Sequence, residues 1–582
     1  MASRADGIDD DDDHSPADTK CSACGLPPRA SPSTGQPIKL KRCSRCQKAW
    51  YHDAQCQRNH FPQHKQACRK AMGALELVST KEQIQKIQVA VERRPDKGRC
   101  LVAVEKVSKG HRIGNQQWQP LGMVPPVLHP SQRTSRCCLC FGKLSPYQAP
   151  LRYPNNSSVP QYQLLFCSST CRNVGSKQFK LDEELEAVGQ LYNHSGMDGP
   201  PEIFSTAILL YRVVQLLLPQ QSSSSTVQSH WNDLQHQTDN VDETIENESP
   251  SFHHTQAVLA TVTAMIRESP SNSGASISLD QLRCFVNKIK LNGFSICDGE
   301  SVALGVGIYD MPSAMNHSCA PNALQTFSYG EPGCLPSLMV TACQDIPAGQ
   351  EVCIAYTDVT CPIAIRQERL LQGYYFQCSC EVCNDMQEEA IRMGLRCLKC
   401  SSSTSPATPM QSHAPSPDGY QCDSCKNRDF SKQIKSIESF LSNGGGEMAT
   451  FSLDDMEQEY STLKQCCFPY SWHVQESGER LVQAYLDLLG SEADNESKQR
   501  HLGTRALEVL EELRSSSRKT NSTVLRECLL TYKAAKLRLF LVPDPRQSMA
   551  ELQTVLNTLS IYYDPKHEIL SGLREVLQQA MC

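Results

Sequence analysis

Cysteine and histidine residues at the spacing of metal ligands are the feature of this sequence that most directly suggests chemistry. Between residues 21 and 68, Cys-x2-Cys pairs are followed by His-x3-Cys pairs. The residues concerned are Cys21, Cys24, Cys43, Cys46, His52, Cys56, His64 and Cys68. Structural zinc sites bind four thiolate or imidazole ligands in a tetrahedron. The segment therefore predicts two closed zinc sites, which leave no open position for a reacting water.

A second group of cysteines predicts one further zinc site. It consists of Cys137-x2-Cys140 and Cys167-x3-Cys171, and the adjacent Cys138 could replace Cys137 as a ligand. The alternative is that these residues are buried thiols that serve only in packing.

Two more cysteine groups occur in the second half of the chain. Cys378, Cys380 and Cys383 supply only three thiolates, so that site needs a fourth ligand from elsewhere or stays open. The last group has the spacing of a zinc ribbon and consists of Cys397, Cys400, Cys422 and Cys425.

Composition supports a metal-binding role for these thiols. The chain has 582 residues, 30 of them cysteine, and a net charge of −6. A reducing cytosol keeps thiols free to bind metal, and we expect an intracellular protein of the nucleus and/or cytoplasm. The N-terminal residues lack a signal peptide's apolar core, and the most apolar run, 203–218, is too short for a bilayer, so no membrane segment is expected. The negative charge excludes a globally basic nucleic-acid binder, and direct DNA binding is not expected.

An ordered set of polar and aromatic residues lies between the cysteine groups. Its members are Asn316-His317-Ser318-Cys319, Gly349-Gln350-Glu351, Tyr356, Tyr374 and Phe376. Taken alone, an Asn-His pair indicates a hydrogen-bonded polar turn, and a single aromatic residue indicates core packing. The order of the whole set, which ends at the three-cysteine group, favours a functional site instead.

This set strongly resembles that of the SET and MYND domain-containing protein-lysine methyltransferases. The first cluster is similar to a MYND finger, whose ligand pairs interleave, although His52 stands where the usual finger has cysteine. The resemblance implies one zinc site of Cys21, Cys24, His52 and Cys56 and another of Cys43, Cys46, His64 and Cys68. It also implies that Cys319 completes a post-SET zinc site with Cys378, Cys380 and Cys383.

The same resemblance implies S-adenosylmethionine as cofactor and assigns roles to residues. The implied cofactor-binding residues are Lys97, Gly98, Arg99, Asn292, Asn316, His317, Tyr356 and Phe376. Tyr356 is implied to orient the lysine amine for in-line transfer, a positioning role, because a phenol of pKa near 10 is a poor base at pH 7. Tyr374 and Phe376 are implied to line the lysine channel. Cys100 stands where the family has a second glycine.

The elements that must position these residues suggest a multidomain α+β protein. We expect an acidic disordered tail (1–18), a MYND finger (21–68), a discontinuous β-rich SET domain (88–360), post-SET and zinc-ribbon segments (361–430) and a tetratricopeptide-like helical domain (431–582). Within the SET domain we expect a half-finger (137–171), a helical insertion (178–290) and a disordered loop at about 220–254.

The sequence therefore predicts a protein-lysine methyltransferase of histone or non-histone substrates that binds about four or five zinc ions. Proline-rich or other peptides are the expected partners of the finger. The alternative is a catalytically inactive interaction scaffold or transcriptional corepressor, which the Cys100 substitution and the additional zinc modules favour.

Overall fold

The computed structural model describes most of the chain beyond residue 87 and parts of the N-terminal finger. The described residues are 20–24, 26–28, 40–42, 49–53, 55–60, 62–64, 88–95, 97–114, 117–153, 162–195, 201–217, 231–234, 250–268, 277–399, 408–409, 420–422, 424–444, 452–491, 495–517 and 523–581. They divide into two units, Met1–Ile87 and Gln88–Cys582. The predicted tail, 1–18, lies outside the described residues. The mixture of strands and helices confirms the predicted α+β class.

The first unit is a small fold with cysteine in its core. Strand β1 (Lys41–Arg42) pairs antiparallel with β2 (Trp50–Tyr51), and residues 55–60 form a short helix. The described core consists of Cys21, Leu40, Ala49 and Tyr51. So little buried apolar surface rarely holds a fold by itself, which makes metal binding the expected source of stability.

Short strands form the β-rich part of the second unit. They are β3 (Val89–Arg94), β4 (Gly98–Ala103), β5 (Val127–Leu128), β6 (Gly293–Cys297), β7 (Ala303–Ile308), β8 (Asn316–His317), β9 (Ala323–Ser328), β10 (Ser337–Ala342) and β11 (Cys353–Ile354). Strands β3–β4, β6–β7 and β9–β10 form antiparallel pairs, and β5 extends the sheet beside β7. Strands β8 and β11 instead pair in parallel. Branched and aromatic side chains from these strands are buried in one core.

The β3–β4 hairpin and the β8–β11 pair bring together distant parts of the sequence. Gly98, at the hairpin turn, has a φ of 70°, a conformation that glycine adopts without a steric penalty. A bridge between Val102 and Glu351 joins β4 to the segment before β11. Strand β11 in turn places Cys353 opposite Asn316. The hairpin turn, Asn316 and Glu351 therefore lie on adjoining strands.

Helices separate the two halves of this β-rich region. They are α1 (Ser169–Phe179), α2 (Leu181–Ser195), α3 (Pro201–Leu217), α4 (Pro250–Glu268) and α5 (Leu279–Asn292). Arg212, the charge within the most apolar run, is buried, and its Nε donates to Glu184 at 2.7 Å. The pair is further satisfied by the carbonyls of Pro125 and Pro126, which accept from the same guanidinium.

Part of the segment predicted as a disordered loop, at about 220–254, has regular structure. Residues 231–234 form a short helical turn, and α4 begins at Pro250. Trp231 and Leu234 are each 2% exposed, and the Trp231 ring packs edge-on against Phe285 at 5.1 Å. Two large apolar side chains spaced three apart are the signal of a buried turn, and they outweigh the polar composition around them. The rest of the predicted loop lies outside the described residues.

Helices dominate the remainder of the chain. They are α6 (Ile363–Tyr374), α7 (Glu381–Asn384), α8 (Met386–Arg392), α9 (Ser431–Gly444), α10 (Leu453–Cys466), α11 (Trp472–Ser491), α12 (Glu496–Ser517), α13 (Val524–Leu541), α14 (Arg546–Tyr562) and α15 (Glu568–Met581), with a short β12 (Thr408–Pro409) and β13 (Tyr420–Gln421) pair. Consecutive helices from α9 to α15 pack against one another. Among the described residues, no helix combines the length and apolarity required to span a membrane.

The last helix joins the β-rich region through a buried ion pair. Arg136, whose side chain is 4% exposed, donates to Glu568 Oε1 at 2.8 Å. Tyr329 donates its hydroxyl to the same oxygen at 2.8 Å. Arg112 and Thr326 both donate to the Tyr562 carbonyl. These contacts fix α14 and α15 on the β9–β10 hairpin.

Candidate active site and metal clusters

The three-cysteine group acquires its fourth ligand from the Asn-His-Ser-Cys segment. The sulfur atoms of Cys319, Cys378, Cys380 and Cys383 all lie within 4.8 Å of one another, with Cys319 and Cys383 at 3.5 Å. A tetrahedral zinc site with Zn–S bonds of about 2.3 Å needs sulfur atoms roughly 3.8 Å apart, so this donor set fits zinc. Hydrogen bonds from the neighbouring thiols, that of Cys319 foremost, hold the pKa of Cys380 well below its ordinary value. The thiolate form that binds metal is therefore favoured.

A buried cation lies against this cluster. The Arg366 side chain is fully buried, and its NH2 group donates to Cys383 Sγ at 3.7 Å. Burial by itself would lower the pKa of Arg366, but the charge of Cys319 and the hydrogen bond to Cys383 raise it. Four thiolates around Zn²⁺ carry a net negative charge, and a buried guanidinium offsets it. No local pattern indicates this contact, because Arg366 lies on α6, between the two segments that supply the thiols.

The finger cluster contains the predicted histidine. Cys21, Cys24, His52 and Cys56 have their ligand atoms within 4.8 Å of one another. His52 Nδ1 lies 3.5 Å from Cys24 Sγ, and its Nε2 lies 2.8 Å from the Pro27 carbonyl. A histidine that binds metal through one nitrogen typically donates its other N–H to a carbonyl. This geometry fits zinc ligation through Nδ1.

Of the second predicted finger set, only His64 is described, and it is 8% exposed. Cys43, Cys46 and Cys68 lie outside the described residues.

The half-finger cysteines also converge. The sulfur atoms of Cys137, Cys140, Cys167 and Cys171 lie within 4.8 Å of one another. Cys138 is buried but does not belong to this set. Of the two adjacent cysteines, Cys137 is therefore the one placed to bind metal.

The ribbon cysteines converge in part. Cys397, Cys422 and Cys425 lie within the same distance, with Cys397 and Cys425 Sγ atoms 3.6 Å apart. Cys400 lies outside the described residues.

Asn316 is held by a network that reaches the hairpin turn. Its Nδ2 donates to the Arg99 carbonyl at 3.0 Å and to Glu351 Oε1 at 2.7 Å. Lys97 Nζ donates to the other Glu351 oxygen at 3.0 Å. Burial would raise the pKa of Glu351, yet hydrogen bonds, chiefly from Asn316 and Lys97, hold it below its ordinary value. Asn316 thus connects the turn at Lys97–Arg99 to β8.

Cys100 lies inside this network. Its sulfur is 3.2 Å from Asn316 Nδ2, and the residue is fully buried. Burial and the Glu351 carboxylate raise the pKa of the Cys100 thiol to about 11. The thiol is therefore neutral at physiological pH and occupies space beside Asn316 without adding charge.

Tyr356 is enclosed by three rings. Its centroid lies 4.6 Å from that of Tyr374, 5.5 Å from His317 and 6.5 Å from Phe376. Its hydroxyl donates to the Met315 carbonyl at 2.6 Å. Burial raises the pKa of Tyr356 well above its ordinary value, which keeps it a neutral phenol.

His317 links this aromatic group to the post-SET cluster. Its Nδ1 accepts from the Tyr356 backbone N–H at 3.0 Å, which assigns the proton to Nε2, 3.2 Å from Cys319 Sγ. Burial lowers the pKa of His317 to about 4, so the imidazole is neutral.

Asn292 is placed differently from the other predicted cofactor residues. It is the last residue of α5, it is buried, and its Nδ2 donates to the Lys288 carbonyl of the same helix at 2.8 Å. This bond satisfies a carbonyl at the helix C-terminus.

Two family models match the chain where these groups lie. The MYND finger matches residues 21–68, and the SET domain matches residues 98–357. The chain contains a MYND finger followed by a SET domain. These matches confirm the predicted resemblance.

Curated relatives agree with this assignment. The chain is 27% identical over 311 residues to chicken (Gallus gallus) N-lysine methyltransferase SMYD2, which covers 52% of this chain and 62% of the relative. It is 25% identical over 362 residues to Arabidopsis thaliana histone-lysine N-methyltransferase ASHR1, covering 61% and 67%. It is 30% identical over 182 residues to mouse (Mus musculus) histone-lysine N-methyltransferase SMYD3, covering 31% and 40%. The chain thus spans less than two thirds of the length of the chicken relative.

For this SET and MYND domain protein, sequence reasoning identified the cysteine and histidine clusters but missed two residues that support the site, one beside Asn316 and one beside the post-SET cluster. Glu351 was noted only as part of a motif, whereas the structure places it between Lys97 and Asn316. Arg366 was not singled out at all. In both cases the contact joins residues that are distant in sequence or on different elements, so residue spacing does not predict it.

Proposed function

We propose that this protein is an S-adenosylmethionine-dependent protein-lysine N-methyltransferase in which Tyr356 orients the lysine amine. The observation that carries this proposal is the enclosed Tyr356 hydroxyl. Because its proton is donated to the Met315 carbonyl, its oxygen lone pairs are available to accept from an incoming amine. Its raised pKa excludes a phenolate base at neutral pH, so its role is to position the amine.

The aromatic side chains around Tyr356 suit a lysine stem. The Tyr374 and Phe376 rings lie with their centroids 4.6 Å and 6.5 Å from the centroid of the Tyr356 ring. Aromatic faces attract an ammonium group and pack against its methylene stem. The neutral amine that must react arises by loss of a proton to solvent, since lysine has an ordinary pKa near 10.4.

The residues at the hairpin turn suit the cofactor. Arg99 is 6% exposed, burial lowers its pKa, and its NH1 donates to the Ser313 hydroxyl at 3.3 Å. Among the described residues no carboxylate forms an ion pair with Arg99, and a buried cation is stabilised by an anion such as the carboxylate of S-adenosylmethionine. The residues that would hold the cofactor are Lys97, Gly98, Arg99, Asn316, His317 and Phe376. When bound, it supplies a methyl group on a sulfonium sulfur for in-line transfer to the amine.

The zinc clusters have a structural role in this proposal. Each described set contains thiol donors within 4.8 Å of one another, the finger set adds the His52 imidazole, and the four-ligand sets are closed. We propose about four or five zinc ions per chain, a protein substrate and a peptide partner for the finger. ASHR1 and mouse SMYD3 are named histone-lysine methyltransferases, so histones are the first substrates to test. The proposed locations are the nucleus and the cytoplasm.

The test compares two tyrosine variants on zinc-loaded protein. Tyr356→Phe should lower methyl transfer at least 100-fold, the usual effect of losing one hydrogen-bonding group at a reacting centre, while calorimetry shows unchanged cofactor affinity. Tyr309→Phe is the matched control, because Tyr309 is also buried and donates its hydroxyl to a carbonyl, that of Pro336, at 2.9 Å. Wild-type activity in Tyr356→Phe would contradict the assigned role. Full zinc loading with no cofactor binding in the wild type would favour the scaffold alternative.

A further inference from the structure

The residue between the two channel aromatics has an unusual backbone. Tyr375 ends α6 in the left-handed conformation, with a φ of 60° and a ψ of 33°, and its N–H donates to the Leu371 carbonyl. A bulky side chain seldom adopts a positive φ, and such residues persist where surrounding contacts hold them. The reversal at Tyr375 directs Tyr374 and Phe376 onto Tyr356.

A lysine from the helical insertion holds Tyr375 in place. Lys290, in the last turn of α5, donates from Nζ to the Tyr375 hydroxyl at 2.7 Å. The same ammonium lies 4.5 Å from the centroid of the Tyr375 ring. Both side chains are partly buried, and α5 packs against α6. The contact therefore combines a charged hydrogen bond with a cation–π interaction.

We propose that Lys290 and Tyr375 form a clamp that positions Tyr374 and Phe376 around the Tyr356 hydroxyl. The clamp deepens the proposed function, on which it rests. Neither residue reaches the amine itself, so both are positioning residues for methyl transfer. The clamp also makes the lysine channel depend on the helical insertion, because Lys290 and Tyr375 are 85 residues apart in the sequence. A channel of fixed width limits how many methyl groups the amine can carry while it reacts.

The experiment uses single variants of the full chain. Lys290→Met keeps the aliphatic stem and removes the charge, and Tyr375→Phe keeps the ring and removes the hydroxyl. Each should lower kcat on the order of 5-fold, the effect of one partly exposed hydrogen bond to a charge, with cofactor Kd unchanged. Each should also shift the products, read by mass spectrometry, towards higher methylation states. The double variant should be no worse than the poorer single variant, because both substitutions remove one interaction.

Two controls separate positioning from a general loss of structure. Lys290→Arg keeps a donor and a cation and should restore kcat to within about twofold of the wild type. Arg283→Met removes a cation from the exposed face of the same helix, where Arg283 pairs with Asp280 at 3.5 Å, and should change nothing. Additive losses in the double variant would overturn the clamp, as would unchanged products and kcat in both single variants.

Hydrogen–deuterium exchange tests the clamp without any activity. Loss of either partner should speed exchange in the peptide containing residues 374–380 and leave the β9–β10 hairpin unchanged. Faster exchange in a protein that shows no methyl transfer would support the clamp and count against the proposed function. Unchanged exchange would overturn the clamp whatever the activity.

Discussion

Replacing Glu351 by glutamine tests whether the network around Asn316 holds the cofactor turn. The Glu351 side chain is 7% exposed and accepts hydrogen bonds from Lys97 and Asn316. Glutamine preserves shape and an acceptor oxygen but removes the charge. We expect the Lys97–Arg99 turn to loosen and cofactor affinity to fall. The loosening should lower the thermal stability of the protein even without ligand.

The magnitude follows from the two contacts. Hydrogen bonds to charged groups contribute about 1.5–3 kcal/mol, and glutamine still accepts from Asn316, so the loss there is ~1 kcal/mol. Lys97 is half exposed, which reduces its ion pair to ~0.5 kcal/mol. Together these losses amount to ~1.5 kcal/mol, or roughly a tenfold rise in Kd. Because the unit Gln88–Cys582 is large, the melting temperature should fall by only about 1–2 °C.

The pH dependence has a definite sign. The pKa of Glu351 is lowered in the folded protein, so its contribution to stability is complete above the unfolded-state pKa and is lost as the pH falls through the folded value. Wild type and Glu351→Gln should therefore differ at neutral pH and converge in acid.

Calorimetry with S-adenosylmethionine and thermal denaturation of the same samples measure both effects. Glu92→Gln is the matched control: Glu92 lies on β3, pairs with Arg94 at 3.6 Å and is 54% exposed. It should bind cofactor as the wild type does. An equal loss of cofactor affinity in Glu351→Gln and Glu92→Gln would show that net charge, and not position, causes the effect. An unchanged Kd in Glu351→Gln would refute the positioning argument.

Three further predictions concern the clusters and the last helix. Cys380→Ala should lower the zinc content, measured by mass spectrometry, by about one ion per chain, because three thiolates remain in its set; an unchanged count would exclude a shared site. Glu568→Ala should leave the buried Arg136 guanidinium without its closest carboxylate, at a cost of ~2 kcal/mol and about 2 °C in melting temperature. Burial would raise the pKa of Glu568, but its hydrogen bonds lower it, so the stability difference between wild type and Glu568→Ala should disappear in acid. Equal stability of the two proteins at pH 7 would contradict the ion pair. Cys100 should stay unmodified by iodoacetamide at pH 8 while the exposed Cys334 reacts, because the Cys100 thiol is buried and has a pKa of about 11. Labelling of Cys100 as early as Cys334 would show that the turn is open.

Much of this molecule could be predicted from sequence where the signal is local. Cysteine spacing predicted that the half-finger and ribbon cysteines converge, whereas the division of the first cluster into its two ligand sets came from family resemblance. The pairing of Cys319 with the three later cysteines came from family resemblance, since nothing in the spacing joins residues 59 or more apart.

The remaining features depend on contacts between elements. The buried turn at Trp231 was missed because polar composition over a long stretch concealed two apolar residues. The Arg136–Glu568 pair joins residues 432 apart, and Lys290 meets Tyr375 only after α5 and α6 have packed. Such contacts arise from the packing of elements, and a charged residue in a sequence does not indicate which distant carboxylate or ring it will meet.

The four residues from Asn316 to Cys319 belong to two sites at once. Asn316 donates to the turn at Lys97–Arg99, for which we propose cofactor binding. Cys319 lies in the post-SET cluster, and His317 contacts both Tyr356 and Cys319. Where both ligands bind, thermodynamic reciprocity applies: the factor by which zinc raises cofactor affinity equals the factor by which the cofactor raises zinc affinity. Where the coupling is positive, removal of zinc by a chelator should therefore weaken binding of the methyl donor without any contact with the donor's own site.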